Sequence, residues 1–190
     1  SSAIAMGDMS TIGTLTNWGT IKTGVYDGIY IWNTSQITTL NNAQGAGNPS
    51  GALVIENKLP TNYNVILGSN PSIYGKLRGV YLVDTTLSNF GIYSGNVQSK
   101  IYSGVLSGIT DVTNGKTGTY SGQGYQLVLE DGSSDTWDLL FPNWSLGPNA
   151  ANTLQSVQQI ASGLSSVYNQ QAAAYQAALS YDCQVYDEAG

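Results

Sequence analysis

Residues 92–104 read Ile-Tyr-Ser-Gly-Asn-Val-Gln-Ser-Lys-Ile-Tyr-Ser-Gly, so a four-residue unit recurs nine residues further along the chain. Each copy places two β-forming residues before a Ser-Gly pair that favours a turn. A less exact third copy stands at Thr119-Tyr120-Ser121-Gly122. The unequal spacing favours a meander of short strands joined by turns, with a few coils of a β-solenoid as the alternative.

The same mixture of β-forming residues and turn signals extends over most of the chain. Residues 25–32 read Val-Tyr-Asp-Gly-Ile-Tyr-Ile-Trp, a run rich in strand-forming side chains. The apolar runs 120–130 and 137–141 are separated by a segment beginning Asp131-Gly132, which predicts a hairpin. These patterns predict a mainly β domain over residues 1–148, arranged as a sandwich or a jelly-roll-like fold.

From residue 149 the composition changes to Ala, Gln, Ser and Leu with helical spacing, which predicts a C-terminal α-helical segment over residues 149–190. No charged residue lies between Asn149 and Tyr181. An exposed helix normally carries Glu and Lys pairs, so we expect this one to pack on its own domain or on neighbouring subunits. The apolar stripe of three-four spacing predicts an oligomer interface. Its members are Leu154, Val157, Leu164, Tyr168 and Tyr175.

The chain is poor in ionic groups: 9% of its 190 residues are charged and its net charge is −6. Its polar surface must be built from Ser, Thr, Asn, Gln and Tyr, which suits contact with sugar hydroxyls or with other subunits. The six basic residues are scattered, which argues against nucleic acid as a partner. No apolar stretch is long enough to predict a membrane span. The sequence has no histidine, which removes Ser-His-Asp catalysis.

Aromatic side chains are the positive functional signal, with 13 tyrosines and four tryptophans. Both types combine an apolar face with a hydrogen-bonding edge, a mixture that favours sugar rings and protein interfaces. Tyr26, Tyr30 and Trp32 alternate along one predicted strand, so their side chains share one face. The polar segment 41–51 is typical of an exposed loop. The predicted ligand-binding residues are Tyr26, Tyr30, Trp32, Asn41, Asn42 and Asn48.

One group of carboxylates surrounds the predicted hairpin turn. Its spacing does not match a calcium-binding EF-hand loop, so a solvated turn is the favoured interpretation. A surface Ca²⁺ site formed by Asp131, Asp135 and Asp138 is the alternative. No other cofactor is expected.

Residues 14–55 resemble the knob-like β modules of phage tail fibres and R-type pyocin fibres. The resemblance is carried by Leu15-Thr16-Asn17, by Thr23-Gly24-Val25-Tyr26 and by Gly51-Ala52-Leu53-Val54-Ile55. It covers under a quarter of the chain and implies a virion appendage, and it assigns no binding residue.

Together these features predict a non-enzymatic virion or cell-surface protein with a structural and adhesive role, of the phage-fibre, baseplate or capsid-decoration type. It would be found on the virion or outside the cell. Its expected partners are copies of itself, with a trimer as one arrangement, other proteins of the same assembly, and a host-surface glycan. Two alternatives remain: a purely structural subunit of an extracellular filament, pilus or surface layer, and a secreted glycoside hydrolase that acts through carboxylates.

Overall fold

The computed structural model describes residues 2–22, 28–143 and 164–173. The chain divides into two compact units, Ser1–Trp144 and Ser145–Gly190. In the described residues the first unit is made of strands and the second contains one helix, α1, over residues 164–173. The strands are β1 (Ile4–Met6), β2 (Thr11–Asn17), β3 (Ile29–Ile31), β4 (Gln36–Asn42), β5 (Gly45–Ala46), β6 (Leu53–Glu56), β7 (Asn62–Ile66), β8 (Tyr74–Gly75), β9 (Leu77–Val80), β10 (Thr86–Ser94), β11 (Ile101–Ser107), β12 (Asp111–Asn114), β13 (Thr117–Tyr120), β14 (Gln123–Leu129) and β15 (Trp137–Leu140).

The first unit is a β-solenoid with two main sheets, between which the chain alternates. Sheet A has the order β1-β3-β6-β9-β11-β15-β14-β13, and sheet B has the order β12-β10-β7-β4-β2. From β1 to β12 the neighbours within sheets A and B run parallel. Each coil therefore supplies one strand to each sheet: coil 1 is β1 and β2, coil 2 is β3 and β4, coil 3 is β6 and β7, coil 4 is β9 and β10, and coil 5 is β11 and β12.

The prediction of a mainly β fold is confirmed, but the prediction of a sandwich or jelly roll is wrong. Those folds are built from antiparallel pairs, whereas here strands about one coil apart stack in parallel. Thr39 pairs with Asn62 and Leu77 pairs with Leu106, separations of 23 and 29 residues. The nine-residue repeat is a different feature, because its first two copies lie on β10 and β11, which belong to different sheets.

The core lies between the two sheets and is built from columns of stacked side chains. Ile29 stacks on Ile55 in sheet A, while Leu40, Tyr63 and Phe90 stack in sheet B. The first four of these residues are fully buried. Burying an aliphatic or aromatic side chain of this size contributes about 2 kcal/mol, so the columns are the main source of stability. The rings of Tyr63 and Phe90 lie 6.2 Å apart.

One polar cluster lies inside this apolar interior and centres on Asn42, which is fully buried. Its Oδ1 accepts hydrogen bonds from Asn17 Nδ2 at 3.0 Å and from the backbone N–H of Gln44 at 3.1 Å. Its Nδ2 donates to the carbonyls of Gln44 at 2.8 Å and Lys76 at 3.1 Å. A single amide therefore ties together coil 1, coil 2 and the segment that leads into coil 4.

Sheet A ends in antiparallel strands at the C-terminal end of the solenoid. Strand β15 pairs with β11 on one side and with β14 on the other, and β13 pairs with β14. The hairpin predicted at Asp131-Gly132 is the β14–β15 connection, so that prediction is confirmed. Gly132 has a φ of 77°, a backbone conformation that favours glycine.

Candidate ligand-binding site

The outer face of sheet B carries ladders of neutral polar side chains. Strands β2, β4, β7 and β10 contain no charged residue. Asn62 Nδ2 donates to Thr39 Oγ1 at 3.1 Å, Asn89 Nδ2 donates to Asn62 Oδ1 at 2.9 Å, and Asn114 Nδ2 donates to Asn89 Oδ1 at 3.1 Å. Each amide in this column therefore points its donor towards the preceding coil.

A second ladder runs beside the first. Asn41 Nδ2 donates to Thr16 Oγ1 at 3.0 Å, and Asn64 Nδ2 donates to Asn41 Oδ1 at 2.8 Å. The register continues to Gly91, where an added Cβ would lie 2.5 Å from Asn64 Oδ1. Because the amides are bonded to one another, the ladders hold coils together as well as presenting polar groups.

The expectation that Asn41 and Asn42 lie in an exposed loop is wrong. Both belong to β4 and are 2% and 0% exposed. The bonds of Asn42 are made inside the solenoid, so its side chain does not reach solvent. Asn48 does lie in a turn, is half-buried, and donates to Thr20 Oγ1 at 2.8 Å.

Of the three aromatics predicted to share one face, Tyr30 and Trp32 lie side by side. Tyr26 lies outside the described residues. Trp32 is 52% exposed, and its ring lies 5.8 Å from that of Tyr30 at an interplanar angle of 81°. This edge-to-face contact is a favoured aromatic geometry and fixes the orientation of the indole. The Trp32 indole is thus held at a fixed angle while about half of its surface is exposed to solvent.

Trp32 borders an open cavity of about 400 Å³ at the corner between β3 and β4. The other lining residues are Asp8, Asn33 and Thr34. We call these four residues the Trp32 corner. It combines an apolar ring with a carboxylate, an amide and a hydroxyl. Sequence reasoning missed Asp8 because it lies in coil 1, and only the coil register brings it beside coil 2.

The Trp32 corner is held in place from the side of coil 3. Asn57 Nδ2 donates to the Ile31 carbonyl at 2.6 Å and to Asn33 Oδ1 at 2.9 Å. The ammonium of Lys58 donates to the carbonyls of Asn33 at 3.2 Å and Ser35 at 2.9 Å. These bonds fix both ends of the turn that carries Trp32.

Coil 1 holds the same turn from the other side. Thr34 Oγ1 donates to Asp8 Oδ1, and the backbone N–H of Met9 donates to Thr34 Oγ1 at 3.3 Å. Ser35 is fully buried and its hydroxyl accepts from the backbone N–H of Ser10 at 3.0 Å. A turn bonded on both sides loses little conformational freedom when a ligand binds, which favours affinity.

The structure does not bring Asp131, Asp135 and Asp138 together as a calcium site requires. Asp138 Oδ1 accepts from the backbone N–H of Gly104 at 2.7 Å, and Asp135 Oδ1 accepts from Thr136 Oγ1 at 3.2 Å. Over residues 2–22, 28–143 and 164–173, no group of three His, Cys, Asp or Glu side chains is placed to hold a metal ion.

Helix α1 carries part of the predicted oligomer interface. Leu164 and Tyr168 are 66% and 71% exposed, and their spacing places them on one face with Val167. Leu154, Val157 and Tyr175 lie outside the described residues. Their role in assembly stays a prediction.

In the part of the chain that the structure describes, no helix has the length and apolar character needed to cross a bilayer. The Trp32 corner is the described site that best combines an exposed aromatic ring with fixed polar groups. Comparison of the chain with protein-family models, with curated proteins and with solved structures finds no match.

Proposed function

We propose that this chain is a non-enzymatic structural and adhesive protein of a virion or cell surface, of the fibre, baseplate or capsid-decoration type, and that it binds a neutral glycan at the Trp32 corner. The observation that carries the proposal is the half-exposed indole of Trp32, braced by Tyr30 on a turn that two neighbouring coils hold rigid. Rigid support of this kind suits recognition on a surface.

The chemistry of a sugar ring matches the lining of this corner. A pyranose has an apolar face of C–H groups, which stacks on an aromatic ring, and hydroxyls around its rim, which need hydrogen-bonding partners. Trp32 supplies the ring, and Asp8, Asn33 and Thr34 lie around it. An ionised Asp8 accepts hydrogen bonds only, and bonds from hydroxyls to a charged oxygen are stronger than neutral ones.

The solenoid supports the structural part of the proposal. Its coils stack through neutral amide ladders and an apolar core, and strands β2, β4, β7 and β10 of sheet B carry no charged residue. A shallow site binds one sugar weakly, so adhesion would come from several copies acting together. A surface assembly provides those copies.

The test is binding of the full chain to a panel of immobilised neutral glycans, with Trp32→Ala as the decisive variant. Loss of ring stacking is expected to weaken binding about tenfold, since an aromatic contact contributes roughly 1–1.5 kcal/mol. Asp8→Asn should also weaken binding, because a charge-assisted bond becomes a neutral one.

The matched control is Trp18→Ala, which removes another exposed indole, 65% exposed, that lies against Tyr93 instead. Equal losses for Trp18→Ala and Trp32→Ala would contradict the assignment of the site. Glycan fragments released by the wild-type chain would contradict the non-enzymatic role.

A further inference from the structure

A second cavity, of about 280 Å³, lies at the opposite end of β3 from the Trp32 corner. Gly28, which lines it, precedes β3, whereas Trp32 follows that strand, and the two sites share no lining residue. Ligand pockets measure roughly 300–1,000 Å³, so a cavity at the small end of that range suits one sugar-sized residue. We call it the Arg78 cavity, and its lining includes Ile21, Lys22, Gly28, Ser50, Val54 and Arg78.

The floor of the Arg78 cavity is the outer face of sheet A. Val54 pairs with Arg78 across β6 and β9, and both alternate with the fully buried Leu53 and Leu77. Their side chains therefore point away from the core. Gly28 of coil 2 lies against the same strand, since an added Cβ would be 2.4 Å from the Val54 carbonyl oxygen. Three coils thus contribute to one floor.

Hydrogen bonds join the two chain segments that line the sides of this cavity. Gln44 is 2% exposed, and its Oε1 accepts from the backbone N–H of Ile21 at 2.7 Å. Its Nε2 donates to the Ala52 carbonyl at 3.4 Å. Asn48 Nδ2 donates to Thr20 Oγ1 at 2.8 Å, which joins the same two segments again. Because these segments are held together before any ligand binds, little conformational freedom is lost on binding.

The Arg78 cavity gathers positive charge in a chain whose net charge is −6. Two of the six basic residues, Lys22 and Arg78, line it, and none of its described lining residues is acidic. In the part of the chain that the structure describes, the one ion pair joins Lys116 to Asp111. Residues 23–27 lie outside the described residues, and the site is defined by described residues alone. Since like charges repel, an anion that binds near both cations is favoured.

We propose that the Arg78 cavity binds the carboxylate-bearing residue of an acidic glycan. The guanidinium fork of Arg78 matches the two oxygens of a carboxylate, and the ammonium of Lys22 adds a point charge. Ile21 and Val54 offer apolar contact to the C–H groups of a pyranose, and Ser50 offers a hydroxyl. A phosphate group is typically held at a helix N-terminus, and the described residues of the first unit contain no helix. This inference does not rest on binding at the Trp32 corner.

The test is titration of the full chain with D-glucuronate, followed by the NMR chemical shifts of the backbone amides of Gly28, Gly51 and Ala52. Two matched ligands are titrated in the same way: D-glucose, which has the same ring without a carboxylate, and glucose 6-phosphate, which carries a phosphate instead. Glucuronate should shift the three amides and bind about tenfold more tightly than glucose, because only glucuronate forms charge-assisted bonds in place of neutral ones. It should also bind more tightly than glucose 6-phosphate.

Lys22→Gln and Arg78→Gln should each weaken glucuronate binding about tenfold, because each removes a charged donor to the carboxylate. Both side chains are exposed, so neither change should disturb the fold. Lys100→Gln is the matched control: it makes the same chemical change, with the same effect on net charge, at an exposed lysine that does not line the cavity. Lys100→Gln and Trp32→Ala should both bind glucuronate with wild-type affinity.

Unmoved amides, or equal affinities for glucuronate and glucose, overturn the proposal, and so does tighter binding of glucose 6-phosphate. Equal losses in Lys22→Gln and Lys100→Gln overturn it as well, because net charge rather than the cavity would then decide the affinity. The result is separate from that of the Trp32 corner. Neutral-glycan binding that survives Trp32→Ala contradicts the Trp32 corner alone, whereas glucuronate binding that survives Lys22→Gln and Arg78→Gln contradicts the Arg78 cavity alone.

Discussion

The buried amide of Asn42 gives the sharpest test of what holds the coils together. Asn42→Ala removes hydrogen bonds to four residues in different parts of the solenoid, namely Asn17, Gln44, Lys76 and, at 3.4 Å, the hydroxyl of Tyr63. The carbonyls of Gln44 and Lys76 keep one partner each, because Lys76 N–H donates to Gln44 and Leu53 N–H donates to Lys76. The backbone N–H of Gln44 loses its side-chain acceptor inside the protein.

An unsatisfied buried N–H costs about 1–3 kcal/mol, and the other lost bonds add about 1 kcal/mol each. We therefore expect Asn42→Ala to lower the free energy of unfolding by about 4 kcal/mol, a large share of a typical domain's stability. The measurement is urea unfolding followed by tryptophan fluorescence, with the midpoint shifting and the slope unchanged.

Asn62→Ala is the matched control, since it makes the same chemical change in a half-buried ladder whose partners can bond to water instead. Its expected cost is about 1 kcal/mol. If Asn42→Ala costs no more than Asn62→Ala, the idea that the buried amide joins the coils is wrong.

Three further predictions follow from the backbone and from one buried tyrosine. Gly95→Ala should destabilise the fold by more than about 3 kcal/mol in urea unfolding, because its φ is 109° and an added Cβ would lie 1.9 Å from the Leu67 carbonyl oxygen. Gly122→Ala, with φ of 76° but open space around it, should cost about 1 kcal/mol, and equal costs would contradict the steric argument. Tyr81→Gly should raise the thermal midpoint by stabilising the fold by about 1 kcal/mol, since an exposed tyrosine there holds a φ of 49°; Tyr81→Ala, which keeps the strain, should not. Burial raises the pKa of Tyr63 well above its usual range, against a smaller opposing effect of its hydrogen bond with Asn42. The folded state therefore favours the neutral phenol, and the resulting stability is full below about pH 10 and lost as the pH rises further. Tyr63→Phe should move alkaline unfolding, followed by circular dichroism, to higher pH, and an unchanged midpoint would count against this explanation.

The mainly β character and the β14–β15 hairpin could be predicted because their signals are local. Strand-forming residues cluster within a few positions, and Asp131-Gly132 sits directly between two apolar runs. The contact of Tyr30 with Trp32 likewise follows from alternation within one strand.

The sequence offers the solenoid only as the less favoured alternative, because its signal is spread over unequal distances. Thr39 and Asn62, which pair in neighbouring coils, are 23 residues apart, whereas Leu77 and Leu106 are 29 residues apart. The column that contains Thr39 also mixes Thr with Asn. Because the spacing varies, the coils have no fixed sequence period. The segment from Asn41 contains residues that favour turns locally, but bonds to other coils place Asn41 and Asn42 in a buried strand.

The unequal length of the coils has a consequence for how such a protein diversifies. The strands keep their register while the connecting segments vary, so residues can be inserted at a corner without moving an inward side chain out of its column. Doubling the length of a loop costs only about 0.6 kcal/mol in closure entropy. The segment that carries Trp32 could therefore be exchanged for one of another length or sequence while the columns of the core stay in place.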